Sequence, residues 1–338
     1  MSDDGLTVAV TGPTGTFGFG LIPLLQDDQR IARVVGIARR PFDPSEHGWS
    51  KMEYRQGDVR DPEALRDAFG RADVVVHLAF MITGTASRDT IRAINIEGTL
   101  NAFGAAVAAG AARFVYASSV AAYGFYPDNP VGMTEDWPTR PATRLFYAQE
   151  KAELEQLLRD QADAHPEVAL YLLRPPIVLG SHAVGAKNAL PEPLSGLVQG
   201  ALEFANRLPV PIPVPTSDLP MQFIHEDDVG RALLKCVVAD GPPGAYNIAG
   251  DGIVTAADVV RELGFTPITV PAGIVQSAAR AAASVPLPSF APPAAEWVEA
   301  ASHPAIMDTS KAKRELGWQP EHTGLDALRE TLRRDPAG

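Results

Sequence analysis

One short segment near the N-terminus constrains the fold more than any other: Val8-Ala9-Val10-Thr11-Gly12-Pro13-Thr14-Gly15-Thr16-Phe17-Gly18. A small apolar run leads into three glycines spaced three apart, and the apolar stretch Gly18–Leu25 follows with helical spacing. A strand that enters a glycine turn and leaves as a helix is the first half of a βαβ unit. Gly12 permits the tight turn, Gly15 lets backbone approach a pyrophosphate, and Gly18 lets the helix pack on the strand. Thr14, Thr16 and Phe17 complete the loop, and the unpaired N–H groups of the first helical turn face the phosphates. The spacing is G-x-x-G-x-x-G, not G-x-G-x-x-G. The position directly after a terminal strand carries the dinucleotide reading more than the glycine count does.

Beyond the loop, short β-branched runs alternate with longer amphipathic stretches. Leu6–Val10, Val34–Ala38, Val74–Leu78 and Phe114–Ser118 read as buried strands; Gly18–Leu25, Pro62–Phe69, Ile91–Ala109 and Tyr147–Ala162 read as helices. Asp61 before Pro62 marks a helix start, a capping carboxylate followed by a proline at the first position. This alternation predicts an α/β fold, a Rossmann-type doubly wound parallel sheet with right-handed crossovers and both faces covered. After the strand-like Ala169–Arg174 the character changes. Prolines crowd residues 180–220, Phe223–His225 and Ala245–Ile248 resume strands around a helix Asp228–Ala239, and Ser310–Leu316 resumes a helix. The expected division is residues 1–179 and 221–249 as the dinucleotide-binding domain. Residues 180–220 and 250–338 then form a smaller, mixed lobe over the carboxyl edge of the sheet.

Charge narrows the partners. The chain of 338 residues carries 29 Lys and Arg against 41 Asp and Glu, a formal net charge of −12, which disfavours nucleic acid and anionic membrane. The apolar stretch Val74–Ile82 contains His77 and stops well short of the ~18–20 residues of a membrane span. The acidic start Met1-Ser2-Asp3-Asp4 shows no signal-peptide pattern, so the expected location is cytoplasmic. The single cysteine, Cys236, lies among Leu233, Leu234, Val237 and Val238 and reads as a buried helix residue. Glu226, Asp227 and Asp228 read as the acidic start of a helix, where they complement the macrodipole, and no metal ligands are assigned.

A carboxylate at the end of the second strand would hold the ribose 2′-hydroxyl of NAD. The chain instead has Ala38-Arg39-Arg40 there, and a guanidinium pairs bidentately with a 2′-phosphate. NADP(H) is therefore favoured over NAD(H). Further along, Tyr147-Ala148-Gln149-Glu150-Lys151 places a phenol and an ammonium on one helix face, which would favour phenolate and lower the tyrosine pKa. Phe114-Val115-Tyr116-Ala117-Ser118-Ser119 is a strand ending in two hydroxyls beside the expected cofactor cleft.

Taken together, these motifs make the chain resemble an extended short-chain dehydrogenase/reductase of the NAD(P)-dependent epimerase/dehydratase superfamily, over almost its whole length. Gly12, Gly15 and Gly18 match T-G-x-x-G-x-x-G, and Gly57-Asp58-Val59 matches the adenine-contacting G-D-[VL]. His77-Leu78-Ala79 matches H-x-A, with Phe80 in place of the usual small residue. Asn95-Ile96-Glu97-Gly98-Thr99 matches N-x-x-G-T, and Ser118 to Gly124 matches S-S-x-x-x-Y-G, aligning Ser119 with the catalytic serine. Leu173 to Gly180, with Pro175 and Ile177, is similar to the stretch lining the nicotinamide; Phe223 to Val229 resembles F-[IV]-H-x-x-D-[VL]; Asp308 to Trp318 resembles the C-terminal signature. The resemblance implies Tyr147 as the proton donor or acceptor, Lys151 as the holder of the nicotinamide ribose, and Ser119 as the carbonyl-orienting hydroxyl. It also implies cofactor contacts from Leu78, Ala79, Phe80 and Asn95, structural roles for His77 and His225, and a possible homodimer. Tyr123 and Tyr126 are decoys by this alignment, packing or pocket wall, and Tyr123 counts among the candidate substrate contacts.

Sugar-nucleotide members of the superfamily carry an arginine two residues before the Phe of the F-I-H strand, and here that position is Met221. The lobe segments 180–220 and 268–300 offer Lys187, Arg207 and Arg280 as cations, few for a nucleoside diphosphate. Phe204, Met221, Phe290, Trp297 and Met307 point to an apolar small-molecule carbonyl or alcohol, or else form the lobe's own core. The expected function is thus hydride transfer between nicotinamide and such a substrate by a Tyr-Lys-Ser mechanism. A nucleotide-sugar 4-epimerase or dehydratase with retained NAD, and a non-catalytic NADP-sensing protein, are the alternatives.

Overall fold

The computed structural model describes residues 5–82, 86–142, 145–183, 213–216, 218–271, 273, 274, 277 and 303–333. Phe204, Phe290, Trp297, Lys187, Arg207 and Arg280 lie outside the described residues, as do most of the proline-rich stretch and the Ala/Pro-rich segment before residue 303.

The main sheet has seven strands: β1 (Leu6–Thr11), β2 (Ile31–Ala38), β3 (Met52–Gln56), β4 (Val74–His77), β5 (Arg113–Ala117), β6 (Ala169–Arg174) and, from a later segment, Gly244–Asn247. Every pairing is parallel, in the order last strand, β6, β5, β4, β1, β2, β3. The chain therefore reverses its winding between β1 and β4, and a crevice opens at the carboxyl ends of those two strands. Both faces are buried, and the period-2 alternation sorts side chains between them. Val8, Val10, Val74, Val76, Tyr171 and Leu173 face one core; Ala9, Val75, Leu170 and Leu172 face the other.

The first core is covered by α1 (Thr16–Asp27) and by Glu226–Val237, which cross at two glycines. A Cβ on Gly20 would stand 2.2 Å from the Glu226 carbonyl oxygen, and one on Gly230 would stand 2.0 Å from that of Gly20. The second core is covered by α2 (Pro62–Phe69), α4 (Gly98–Ala109) and α5 (Phe146–Ala164), while the short α3 (Arg88–Arg92) leads toward α4 and buries no residue. Asp61 caps α2 through the N–H groups of Glu63 and Ala64, with Pro62 at the first position, as the sequence indicates. Between α3 and α4 the single expected helix passes through a π-turn, Ala93–Glu97.

Several elements go beyond the sequence reading. Met52–Gln56 forms the edge strand β3, hidden because Met-Glu-Tyr-Arg-Gln alternates weakly and carries charge. Small strands β7 (Ile177–Leu179), β8 (Pro213–Thr216), β9 (Pro220–Met221) and β10 (Phe223–His225) precede α6 (Glu226–Val237). After the sheet's last strand, β11 (Gly244–Asn247), come β12 (Val254–Thr255), α7 (Ala256–Glu262) and β13 (Thr266–Thr269), then α8 (Ser310–Glu315) and α9 (Gly324–Arg333). β7 pairs with β10, β9 with β12 and β8 with β13, and Leu179, Phe223, Val254, Ala327 and Leu328 make a small core of their own. The tail around α8 does something different from the lobe to which it was assigned: Ala312, Leu316 and Trp318 pack into the sheet core with Val8 and Leu21. Cys236 is fully buried on α6, and burial pushes its thiol well up. Among the described residues no helix is long and apolar enough to cross a membrane.

Candidate active site

The crevice is built first from glycines. Gly12 has φ +67°, and a Cβ there would meet the backbone of Ala79 at 2.9 Å, so β1 and the turn after β4 close together only around glycine. A Cβ on Gly18 would fall 2.0 Å from the Pro13 carbonyl oxygen, which presses α1 against its own loop. At Gly15 the nearest atom is 3.5 Å away, so this side of the loop stays open. α1 begins after Gly15 with no side-chain cap and no acidic residue in its first turn, so the positive end of its dipole faces the loop. A pyrophosphate fits this loop.

The turn after β4 is held by a buried polar chain. Thr11 Oγ1 lies 2.8 Å from His77 Nδ1, His77 Nε2 lies 3.0 Å from Thr99 Oγ1, and Thr11 Oγ1 also accepts from the N–H groups of Leu78 and Ala79. Burial, with Lys151 adding to it, takes the His77 pKa down to about 3, so the ring is a neutral brace. Asn95 is committed in the same way: its side chain bonds the Met81 N–H at 2.7 Å, the Met81 carbonyl at 2.9 Å and Glu150 at 2.7 Å. Its place is to shape the loop carrying Phe80, not to present a free amide. A Cβ on Gly98 would strike Val59, which explains the glycine of that motif.

At the end of β2, Arg39 and Arg40 are exposed, and their guanidinium groups make no ion pair among the described residues. Asp58, by contrast, is paired to Arg60 at 2.7 Å, which holds its carboxyl below the usual range.

On the other side of the crevice β5 and α5 bring the hydroxyl, phenol and ammonium together. Ser119 caps a short turn (Val120–Tyr123) by accepting the Ala121 N–H at 3.1 Å, and its side chain hydrogen-bonds Tyr147. Ser118 is spent elsewhere, donating to Glu155 at 2.6 Å. Lys151 Nζ donates to the Ala117 carbonyl at 2.8 Å and to the Tyr116 hydroxyl at 3.0 Å. Burial pulls its pKa down to about 7, against the opposing pull of Glu155 and Glu150. The expected acidification of Tyr147 is not present in this arrangement. Burial raises its pKa, and Lys151 Nζ lies 5.9 Å from its ring centroid, turned toward Tyr116. Phe80 accounts for part of this geometry. Its ring sits 3.7 Å from the ammonium and meets Tyr147 edge-on at 5.6 Å, so Nζ is covered on that side.

Two proposed substrate contacts prove to be committed to the protein. Tyr123 is fully buried; its hydroxyl accepts from Arg174 at 2.6 Å and donates toward Asn247 Oδ1 and the Thr134 carbonyl. Met221 pairs with Val254 between β9 and β12 and packs against the lobe's small core. Pro175 is buried with its carbonyl on the Val120 N–H, whereas Ile177 is 55% exposed. Tyr126 is a packing residue, stacked by Arg140. Missed from sequence was the buried pair Arg174–Glu155, with contacts of 2.8 and 2.6 Å, which fixes Ser118 and Tyr123 at the floor of the site.

Comparison with known proteins identifies the family. A profile of the "NAD dependent epimerase/dehydratase family" matches residues 8–249. An uncharacterized protein of Mycobacterium tuberculosis is 28% identical over 96% of this chain and 83% of its own length. An L-arabinose 1-dehydrogenase (NAD(P)(+)) of Haloferax volcanii is 36% identical over 33% of this chain and 40% of its own. Among solved structures, a UDP-glucose 4-epimerase of Thermus thermophilus in complex with NAD superposes with a TM-score of 0.68 at 22% identity, covering 97% of this chain and 98% of that one.

Proposed function

Since the chain belongs to the NAD dependent epimerase/dehydratase family, we propose that it is an oxidoreductase of the extended short-chain type, favouring NADP(H) and moving hydride to or from an apolar carbonyl or secondary alcohol. The observation that carries this reading is the meeting of Ser119, Tyr147 and Lys151 across the crevice from an open glycine loop. Nicotinamide, when bound, supplies hydride exchange at its C4. Gly15, Thr16 and the first turn of α1 would hold the pyrophosphate, and Arg39 and Arg40 a 2′-phosphate.

Within the site, Ser119 orients the substrate oxygen and stabilises charge developing on it, a role worth a few kcal/mol. Tyr147 gives the proton to that oxygen, or takes it in the reverse direction. Lys151, drawn from Tyr116 toward Tyr147 as Phe80 moves, makes the phenolate accessible. Met221, in place of a cation two residues before Phe223, supports an uncharged substrate over a nucleoside diphosphate. The Haloferax enzyme's NAD(P) usage is in keeping with the pair Arg39–Arg40.

Tyr147→Phe tests the mechanism. Turnover with NADPH and a panel of ketones and aldehydes should fall by orders of magnitude while cofactor affinity survives. An unchanged rate would overturn the assignment. Near-stoichiometric NAD released on denaturing the wild-type protein would favour the epimerase alternative.

A further inference from the structure

Lys151 is buried on α5, yet among the described residues no carboxylate stands within ion-pair distance of it. A buried ammonium without a counter-ion is costly and is readily driven to give up its proton. The two acids nearest to it on the same helix are spent elsewhere, Glu155 on Arg174 and Arg159 and Glu150 on the Asn95 amide. Of the three N–H donors of the ammonium, one goes to the Ala117 carbonyl at 2.8 Å and one to the Tyr116 hydroxyl at 3.0 Å. Three aromatic rings also surround it: the centroids of Phe80, Tyr116 and Tyr147 lie 3.7, 4.7 and 5.9 Å from Nζ. We propose that the ring face of Phe80 stands in for the missing counter-ion and keeps Lys151 protonated in the cofactor-free crevice. As a positioning residue for hydride transfer Phe80 rests on that reading; as the holder of a charge it is measured without any substrate.

An aromatic face carries negative potential and attracts a cation within about 6 Å of its centroid, more strongly where water is excluded. At 3.7 Å the Phe80 ring is in contact with the ammonium, whereas Tyr116 meets it through the hydroxyl and Tyr147 lies at the limit of the range. The backbone on either side of Phe80 is fixed. The Ala79 N–H donates to Thr11 Oγ1 at 3.2 Å, and Asn95 holds the Met81 N–H at 2.7 Å and the Met81 carbonyl at 2.9 Å. The ring itself meets Tyr147 edge-on, with 88° between the planes. A small side chain at this position would offer no such face.

The other titratable groups around Nζ are Tyr116 on β5, His77 on β4, and Tyr147, Glu150 and Glu155 on α5. His77 is neutral, and burial keeps both phenols protonated, so none of these three supplies negative charge at neutral pH. Burial works against the ammonium and brings the Lys151 pKa to about 7, where a modest attraction decides the protonation state.

The test separates the attraction of the ring from its bulk. Full-length protein is labelled with lysine carrying carbon-13 at Cε, and the Lys151 signal, assigned by its loss in Lys151→Met, is titrated without cofactor. Phe80→Leu fills similar space without an aromatic face, and the Lys151 pKa should fall by about 0.5–1.5. Phe80→Tyr keeps the face and should retain the wild-type titration. A ring-trifluorinated phenylalanine placed at position 80 keeps the shape but depletes the face, so it should lower the pKa even if Phe80→Leu misfolds. In turnover, kcat/KM for NADPH reports groups of the free enzyme, and its alkaline limb should move to lower pH by the same amount in Phe80→Leu. A Lys151 pKa that is unchanged or higher in Phe80→Leu and in the fluorinated protein overturns the proposal, because the ring would then act only by excluding water. If Lys151 responds as expected while Tyr147→Phe keeps its rate, the hydride-transfer reading fails and the charge-holding role of Phe80 stands.

Discussion

Arg174→Met should be among the most damaging single changes outside the crevice. Arg174 and Glu155 are both about fully buried, joined by contacts of 2.8 and 2.6 Å, and Arg174 also serves the Tyr123 hydroxyl. Removing the cation leaves Glu155 with Ser118 and with Arg159, whose side chain is 36% exposed. An orphaned buried charge costs about 3–5 kcal/mol, against about 0–1 kcal/mol for Arg159→Ala at the exposed end of the network. With total stabilities of about 5–15 kcal/mol, Arg174→Met gives up a fifth or more of the margin. The double variant Glu155→Leu/Arg174→Met, carrying no buried charge, should be more stable than Arg174→Met alone. Urea unfolding followed by circular dichroism measures these variants together with Glu155→Leu and the wild type, which closes the cycle. The pH dependence has a definite sign. Burial would raise the Glu155 pKa, but Arg174, Arg159 and Ser118 together hold it below its ordinary value. The contribution of the pair is therefore complete above the ordinary glutamate range and is lost as pH falls through the folded-state value, so the gap to Arg174→Met closes in acid. Equal costs for Arg174→Met and Arg159→Ala, or strict additivity in the double variant, would refute the reasoning.

Other outcomes follow from the same geometry. Gly20→Ala and Gly230→Ala should each destabilise by about 1–3 kcal/mol or more, because α1 and α6 must separate, whereas Gly104→Ala on α4, with nothing within 4 Å, should stabilise by about 0.5–1 kcal/mol. Thermal or urea unfolding of the three variants checks the contrast. Lys151, held to about 7 when folded against 10.5 as its ordinary value, binds fewer protons in the native state between those limits. The stability of the cofactor-free protein relative to Lys151→Met should therefore rise from pH 7 towards pH 10, and a flat difference would count against the buried-ammonium account. Arg39→Asp with Arg40→Ala should weaken NADPH at least ~10-fold while sparing NADH in fluorescence titrations; equal loss for both would place the 2′-phosphate elsewhere.

What the sequence disclosed depended on how local the physics was. The strand–glycine–helix unit at Val8–Leu25, the Asp61 cap and the Tyr147–Lys151 pair are set by neighbours a few residues apart, and each could be read from spacing. Tyr116 as the partner of Lys151 could not, since it depends on β5 lying beneath α5. Glu155, four residues after Lys151, reads as a solvent-facing helix residue, and Arg174 reads as a strand end; only the packing of α5 on β6 makes them a buried pair. The departure at Phe80 was visible as a bulky residue in a small-residue position, but its effect on Lys151 required coordinates.

Trp318 has a consequence for how the molecule is made. Its indole N–H donates to the Asp228 carbonyl at 3.0 Å, and with Ala312 and Leu316 it seals the core that begins at Val8 and Val10. The matched family segment, residues 8–249, therefore ends before the core is closed. Contacts of such sequence separation form slowly, and a chain emerging from its N-terminus keeps this part of the core uncovered until residues 312–318 have been made. A fragment ending at residue 249 should accordingly be readily cleaved within α1 under limited proteolysis that leaves the full chain intact, making the segment 312–318 the lock on the first helix.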